Sequence, residues 1–235
     1  PGASEQWKKA ISSPAEDCKF DSLTTRKMNQ ADWVYDYSMH YCDVNEPLEK
    51  RHYTNAQTKD HFTKKVNAIT SYIEESELPC DMWVQRGDSG LSAVLSRINF
   101  YDGSVVDTSN LQNLVGKVMQ EGGFMSTGNG KHKGFDEDFG KDVIINIFAP
   151  KGTKAAYYEP FSYYGSGGKR SWDGVSKQRY YSREFETVFQ RGTIMKITKV
   201  QTGTFRHRQI VYLDVEVIGQ EVRDITYVSD ALISG

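Results

Sequence analysis

Residues 180–192 read YYSREFETVFQRG, and the fold turns on how the run from Arg183 to Val188 is read. Charged and bulky residues alternate there, which is the period of a β-strand. Glu184 and Glu186 then fall on one face, about 7 Å apart along the strand. On most strands such a pair of like charges is simply a solvated face. Reading outward, the chain on both sides is β-prone: TIMKITKVQT (193–202), QIVYLDVEVI (209–218) and DITYV (224–228) downstream, DVIINIFAP (142–150) and KAAYYE (154–159) upstream.

The first 80 residues have a different texture. TTRKMNQADWVYDYSMHYC (24–42) and AQTKDHFTKKVNAITSYIEES (56–76) carry apolar residues at helical spacing. These are Met28, Trp33, Tyr37 and Tyr41 in the first, which read as core, and Phe62, Val66, Ile69 and Ile73 in the second. Thr24 or Thr25 would cap one helix and Thr54 or Asn55 the other. NEPLEKRHYTN (45–55) reads as their connector, because Pro47 resists helix continuation. After it come a short strand at MWVQRG (82–87) and a helix at SNLQNLVGKVMQ (109–120) with Leu111, Leu114, Val115 and Val118 on one face. The glycine-rich GGFMSTGNGKHKG (122–134) follows. The fold class is α+β: a helical segment over 1–80 leading into a mixed, largely antiparallel β core over 81–235, all one domain.

Composition narrows the function. A formal net charge of −2 provides no basic field for nucleic acid, and the longest apolar run, VIINIFA, is far too short for a membrane span. Three cysteines, widely spaced, make no CxxC pair and no disulfide framework, and the five histidines complete no metal-ligand spacing, so no metal is expected. PGAS at the start carries no signal-peptide pattern and is consistent with removal of a leader. GNGKHKG lacks the spacing of a phosphate-binding P-loop and reads as a surface loop. EPFSYYGSGGKRSWDGVSKQRYYS (159–182) is aperiodic, aromatic and basic, the kind of long loop that usually carries function.

Taken singly, Arg86 before Gly87, Ser126–Thr127 after a double glycine, and the Glu-x-Glu pair each have ordinary readings. In order, they change meaning. Aromatic-hydrophobic-x-Arg-Gly, then Phe-x-Ser-Thr, then Glu-x-Glu resembles the R-S-E class of mono-ADP-ribosyltransferases, which includes the actin-modifying binary toxins. The resemblance is strongest from Met82 to Ile197, and it extends to the connecting text in VIINIFAPKGTKAAYYEPFSYYG and EFETVFQRGTIMKI. The serine motif departs at its third position, where Gly128 stands in place of a common serine.

What this resemblance implies is an ADP-ribosyltransferase fold with an NAD cleft in the β core. NAD is the co-substrate, and the partner is a host protein, actin or another, that bears an acceptor arginine. The implied protein is a secreted, monomeric bacterial toxin acting in the host cytoplasm, with slow NAD hydrolysis in the absence of acceptor. Arg86 would offer its donor fork to a phosphate, and Gly87 would let the backbone approach the nicotinamide amide. Ser126 would orient Glu186, which stabilises the positive charge that builds on the ribose, and Ser126 and Thr127 would both contribute to the NAD-binding site. Glu184 would receive the incoming guanidinium, since Glu at that position goes with arginine acceptors. In the loop, Phe161, Tyr163 or Tyr164 would cover the nicotinamide, Arg170 would reach a phosphate, and Tyr180 and Tyr181 would touch the protein substrate. Two alternatives are another acceptor on the same fold, water included, and a binding module without catalysis.

Overall fold

A computed structural model describes residues 37–38, 41–42, 44–49, 52–53, 56–128, 140–158, 186–224 and 226–227. Its strands, in chain order, are β1 (His52–Tyr53), β2 (Met82–Asp88), β3 (Val118–Gln120), β4 (Met125–Gly128) and β5 (Val143–Ala149). They continue with β6 (Ala155–Tyr157), β7 (Glu186–Phe189), β8 (Thr193–Phe205), β9 (Arg208–Gln220) and β10 (Thr226–Tyr227). Two helices are labelled here, α1 (Ala56–Glu74) and α2 (Leu91–Asp102). The main sheet runs β3-β8-β9-β5-β2-β4-β7-β6, with β1 and β10 paired apart from it. Within the main sheet β5 and β9 are parallel and the other pairs antiparallel. This is the expected α+β class.

The sheet is nearly two sheets. β2 and β5 pair along seven residues, from Met82↔Ala149 to Asp88↔Val143, whereas among the described residues β2 and β4 meet at the single position Gln85↔Gly128. Beyond that point the two strands splay, so Arg86, Gly87 and Asp88 have no ladder partner on β4. The gap so opened is where a ligand can enter between half-sheets.

Two apolar clusters cover the sheet. One gathers Val94 and Ile98 of α2 with Val84, Ile145, Ile147, Leu213 and Val215, and extends to Met125 and Phe189. The other sets Phe62, Val66, Ile69 and Ile73 of α1 with Tyr37, Val44 and Leu48 against Phe124, Val188 and Tyr158. The α1 stripe is the one its periodicity predicts. Edge-to-face ring contacts of Tyr37 with Phe124 at 5.7 Å and with Tyr158 at 6.0 Å tie the helical run to the residue before β4 and the residue after β6.

Three local readings need correction. Residues 44–49 are helical, Pro47 included, because Val44, Asn45 and Leu48 are buried and anchor the segment more strongly than one proline disfavours it. SNLQNLVGKVMQ is not a helix. Asn110 caps a 3-10 turn at Leu111–Leu114 through its side chain, Gly116 turns the chain at φ +83°, and Val118–Gln120 pairs with β8. Conversely, α2 had no counterpart in the sequence reading, although Val94 and Ile98 lie at helical spacing and Gly103 ends it at φ +78°. The cap candidates Thr24, Thr25, Thr54 and Asn55 lie outside the described residues. No helix among the described residues is long and apolar enough to cross a membrane.

Candidate active site

A cleft of about 460 Å³ opens where β2 and β4 splay. Its walls include Arg86, Gly87 and Asp88 from β2, Ser126 from β4 and Glu186 from β7. Tyr37, Tyr41 and Asn45 close it from the helical side, and Lys141 stands ahead of β5. Three motifs far apart in sequence therefore share one cavity. A larger cavity of about 920 Å³ lies around the end of α2 and holds none of them.

Strand alternation aims these side chains. On β4, Met125 faces the larger core cluster while Ser126 faces the other way. On β7, Glu186 shares a face with Val188. The register sets Ser126 opposite Val188 and Glu186 opposite Gly128, so Ser126 and Glu186 are diagonal neighbours on one face. Glu186 is 4% exposed and lines the cleft. That disposes of the solvated-face reading for Glu186.

Arg86 bridges the splay. Its Nη1 donates to the Ser126 carbonyl oxygen at 3.1 Å and its Nε to Asp88 Oδ1 at 3.4 Å. Asp88 is also held by Arg97, whose Nη1 donates to Oδ2 at 2.6 Å. Burial alone would raise the Asp88 carboxyl, but Arg97 and Arg86 outweigh it and bring it to about 2. It is an anion at any physiological pH.

Tyr37 and Asn45 complete a brace that the sequence did not single out. The Tyr37 hydroxyl lies 3.4 Å from Ser126 Oγ and donates to the Phe124 carbonyl at 3.2 Å. Asn45 clamps the same Phe124 backbone, donating to its carbonyl at 2.9 Å and accepting from its N–H at 2.9 Å, and it also donates to the Tyr37 hydroxyl at 3.1 Å. The double glycine fits this arrangement, since a Cβ on Gly123 would lie 2.7 Å from the Asn45 side chain. Burial first, and the Glu186 carboxylate beside it, raise the Tyr37 phenol well above its usual range. It stays protonated and able to donate. Helical spacing alone marks Tyr37 as core, and it is; its hydroxyl at the cleft was the part without a sequence signal.

Of the other candidates, Gly87 lines the cleft. Thr127 does not, since it is fully buried on the opposite face and its hydroxyl donates to the Thr187 carbonyl at 2.7 Å. Phe161, Tyr163, Tyr164, Arg170, Tyr180, Tyr181 and Glu184 lie outside the described residues. Arg191 and Gly192 form the turn between β7 and β8.

The model of the family described as ADP-ribosyltransferase exoenzyme matches residues 3–225. A comparison with curated protein sequences gives no significant match. Among solved structures, the chain is similar to Plx2a, an ADP-ribosyltransferase toxin from Paenibacillus larvae. The TM-score is 0.61 and the identity 19%, over 92% of this chain and 96% of that one. C3stau2 from S. aureus, solved with NAD, gives a TM-score of 0.55 at 18% identity over 89% and 93% of the two chains. The enzymatic component C2-I of the C2 toxin from Clostridium botulinum gives 0.57 at 18% identity, over 92% of this chain but 48% of that one. At such identities the likeness is one of fold.

Proposed function

This chain belongs to the ADP-ribosyltransferase exoenzyme family, and on that premise we propose that it transfers ADP-ribose from NAD to an arginine of a host protein. Without acceptor it hydrolyses NAD slowly. The observation that carries this reading is the convergence of Arg86, Gly87, Ser126 and Glu186 on one cleft.

Arg86 holds a phosphate oxygen of NAD, and Gly87 presents backbone to the nicotinamide amide. Nicotinamide departs as a neutral molecule, so its loss needs no general acid. The demand is instead for negative charge beside the ribose as the glycosidic bond lengthens. Glu186, enclosed at the cleft wall, meets it in a poorly hydrated setting where a charge acts strongly. Ser126 restricts Glu186 to one rotamer, and the Tyr37 hydroxyl restricts Ser126 in turn. Glu184, two residues earlier in sequence, draws in the acceptor guanidinium and assists its loss of a proton. Phe161, Tyr163 or Tyr164 covers the nicotinamide, Arg170 reaches a phosphate, and Tyr180 and Tyr181 contact the acceptor protein. The chain acts as one catalytic domain over 1–235, as a monomer, after secretion and entry into the host cytoplasm, where actin is one candidate partner.

The test is host lysate incubated with labelled NAD, followed by mass spectrometry of the labelled protein. The expected product is a hydroxylamine-labile, arginine-linked ADP-ribose. Glu186→Gln is expected to lower both hydrolysis and transfer by roughly a thousandfold. Glu184→Gln is expected to retain most NAD hydrolysis and lose transfer. Equal loss of both activities in Glu184→Gln would overturn the division of labour, and label on another residue type would overturn the acceptor.

A further inference from the structure

Behind the cleft wall a row of alternating charges leads to Arg86, and the reaction as described uses none of its other members. Arg97, on the buried face of α2 between Val94 and Ile98, is 7% exposed. Its Nε donates to Glu121 Oε2 at 2.6 Å, its Nη1 to Asp88 Oδ2 at 2.6 Å and its Nη2 to Asp88 Oδ1 at 3.4 Å. Glu121 is fixed from its other oxygen, which accepts from the Gly123 N–H at 3.2 Å. Asp88 in turn accepts from Arg86 Nε at 3.4 Å. The order Glu121, Arg97, Asp88, Arg86 thus balances two carboxylates with two guanidiniums along a buried path that ends in the cleft.

The distances carry the argument. Asp88 grips Arg97 at 2.6 Å and Arg86 only at 3.4 Å, so its charge is largely committed away from the cleft. Were Arg97 absent, Asp88 would be a buried carboxylate left to Arg86, and would draw that guanidinium onto itself and off the Ser126 carbonyl. An arginine neutralised by its own neighbour is a poor ligand for an incoming diphosphate. A lysine at 97 would keep the charge but not the fork that reaches Asp88 and Glu121 at once.

We propose that Arg97 is a positioning residue for NAD binding: by engaging Asp88 and Glu121 it fixes the Arg86 guanidinium across the cleft and leaves its charge available to the diphosphate. This rests on the reading of Arg86 as a phosphate ligand, so the test has one arm that needs no NAD.

The first arm follows the Arg86 Nε–Hε resonance of the ligand-free protein, assigned by its loss in Arg86→Lys. Arg97→Lys is expected to shift and broaden it; an unmoved resonance overturns the proposal. The second arm measures NAD hydrolysis. Arg97→Lys is expected to raise KM for NAD about tenfold with kcat within about twofold, and an unchanged KM in the folded variant overturns the proposal. If Arg97→Lys fails to fold, the charge-balanced pair Glu121→Gln with Arg97→Gln replaces it, since it leaves Asp88 to Arg86, with the same tenfold rise expected and an unchanged KM again fatal. An unchanged KM in Arg86→Lys itself removes the functional reading of Arg86, and the resonance still decides the role of Arg97.

Discussion

Glu49 stands at the far end of the buried charge row, beside Glu121. One flank of its side chain meets water, yet burial of the rest and the Glu121 carboxylate raise its carboxyl from 4.5 to about 7, against the pull of Arg97 and Arg86. The sign follows from which state holds the proton. Between 4.5 and 7 the folded chain keeps a proton that the unfolded chain has lost, so stability falls as pH rises through that window. Glu49→Gln, which carries no charge at either end, is therefore expected to match wild type near pH 4.5 and to melt higher than wild type at pH 8. Thermal unfolding at a series of pH values checks this, and a gap that stays constant with pH sinks it. Residues of this kind were invisible in the sequence. Arg86, Ser126 and Glu186 were legible because each sits in a short ordered motif on a strand, whose alternation fixes the direction of the side chain. Asp88, Arg97, Glu121, Tyr37 and Asn45 are tied into the site by contacts that reach as far as 89 positions along the chain, and no local pattern encodes such a distance.

Elements show the same division between local and distant causes. α1 was readable since its apolar stripe and its burial coincide. α2 was overlooked, and 109–120 misread, because helical spacing in a short window cannot distinguish a helix from a turn leading into a strand; Gly116 and the pairing of β3 with β8 decide it. The turn between β7 and β8 makes the point sharpest. QRG looks like an ordinary strand connection, and Gly192 does lie there at φ +82°. But its N–H donates to the Glu121 carbonyl at 2.7 Å and its carbonyl accepts from Glu221 N at 2.9 Å. A Cβ at Gly192 would overlap the Glu221 carbonyl oxygen, a backbone atom with nowhere to go. Left-handed strain and overpacking together put the cost of Gly192→Ala at roughly 3 kcal/mol or more. Urea unfolding is expected to show a midpoint lowered accordingly, with the slope unchanged. A loss below about 1 kcal/mol would mean the turn relaxes freely.

At the scale of the molecule, the property that matters is the weak seam between half-sheets. Among the described residues Gln85↔Gly128 is the single ladder position joining β2 to β4, reinforced by Arg86 Nη1 on the Ser126 carbonyl. Sheet order was beyond the sequence, since neighbours such as β5 and β9 or β4 and β7 are brought together by crossovers rather than by hairpins. The proposed substrate would touch both sides of that seam: Arg86 and Gly87 on one, Ser126 and Glu186 on the other. Binding should then do more than fill a cavity; it should fasten the halves. At a concentration 100 times its Kd, a ligand that binds only the folded state adds about 2.7 kcal/mol. For a chain of this length that corresponds to a rise in Tm of roughly 5–10 °C. Calorimetry of wild type and of Arg86→Lys at one fixed NAD concentration is expected to show the rise in the first and a smaller one in the second. Hydrogen exchange supplies the sharper test, because a clamp must slow exchange in β2 and in β4 and β7 together. Protection confined to one half would mean that the ligand sits on a single wall, and that the seam plays no part in binding.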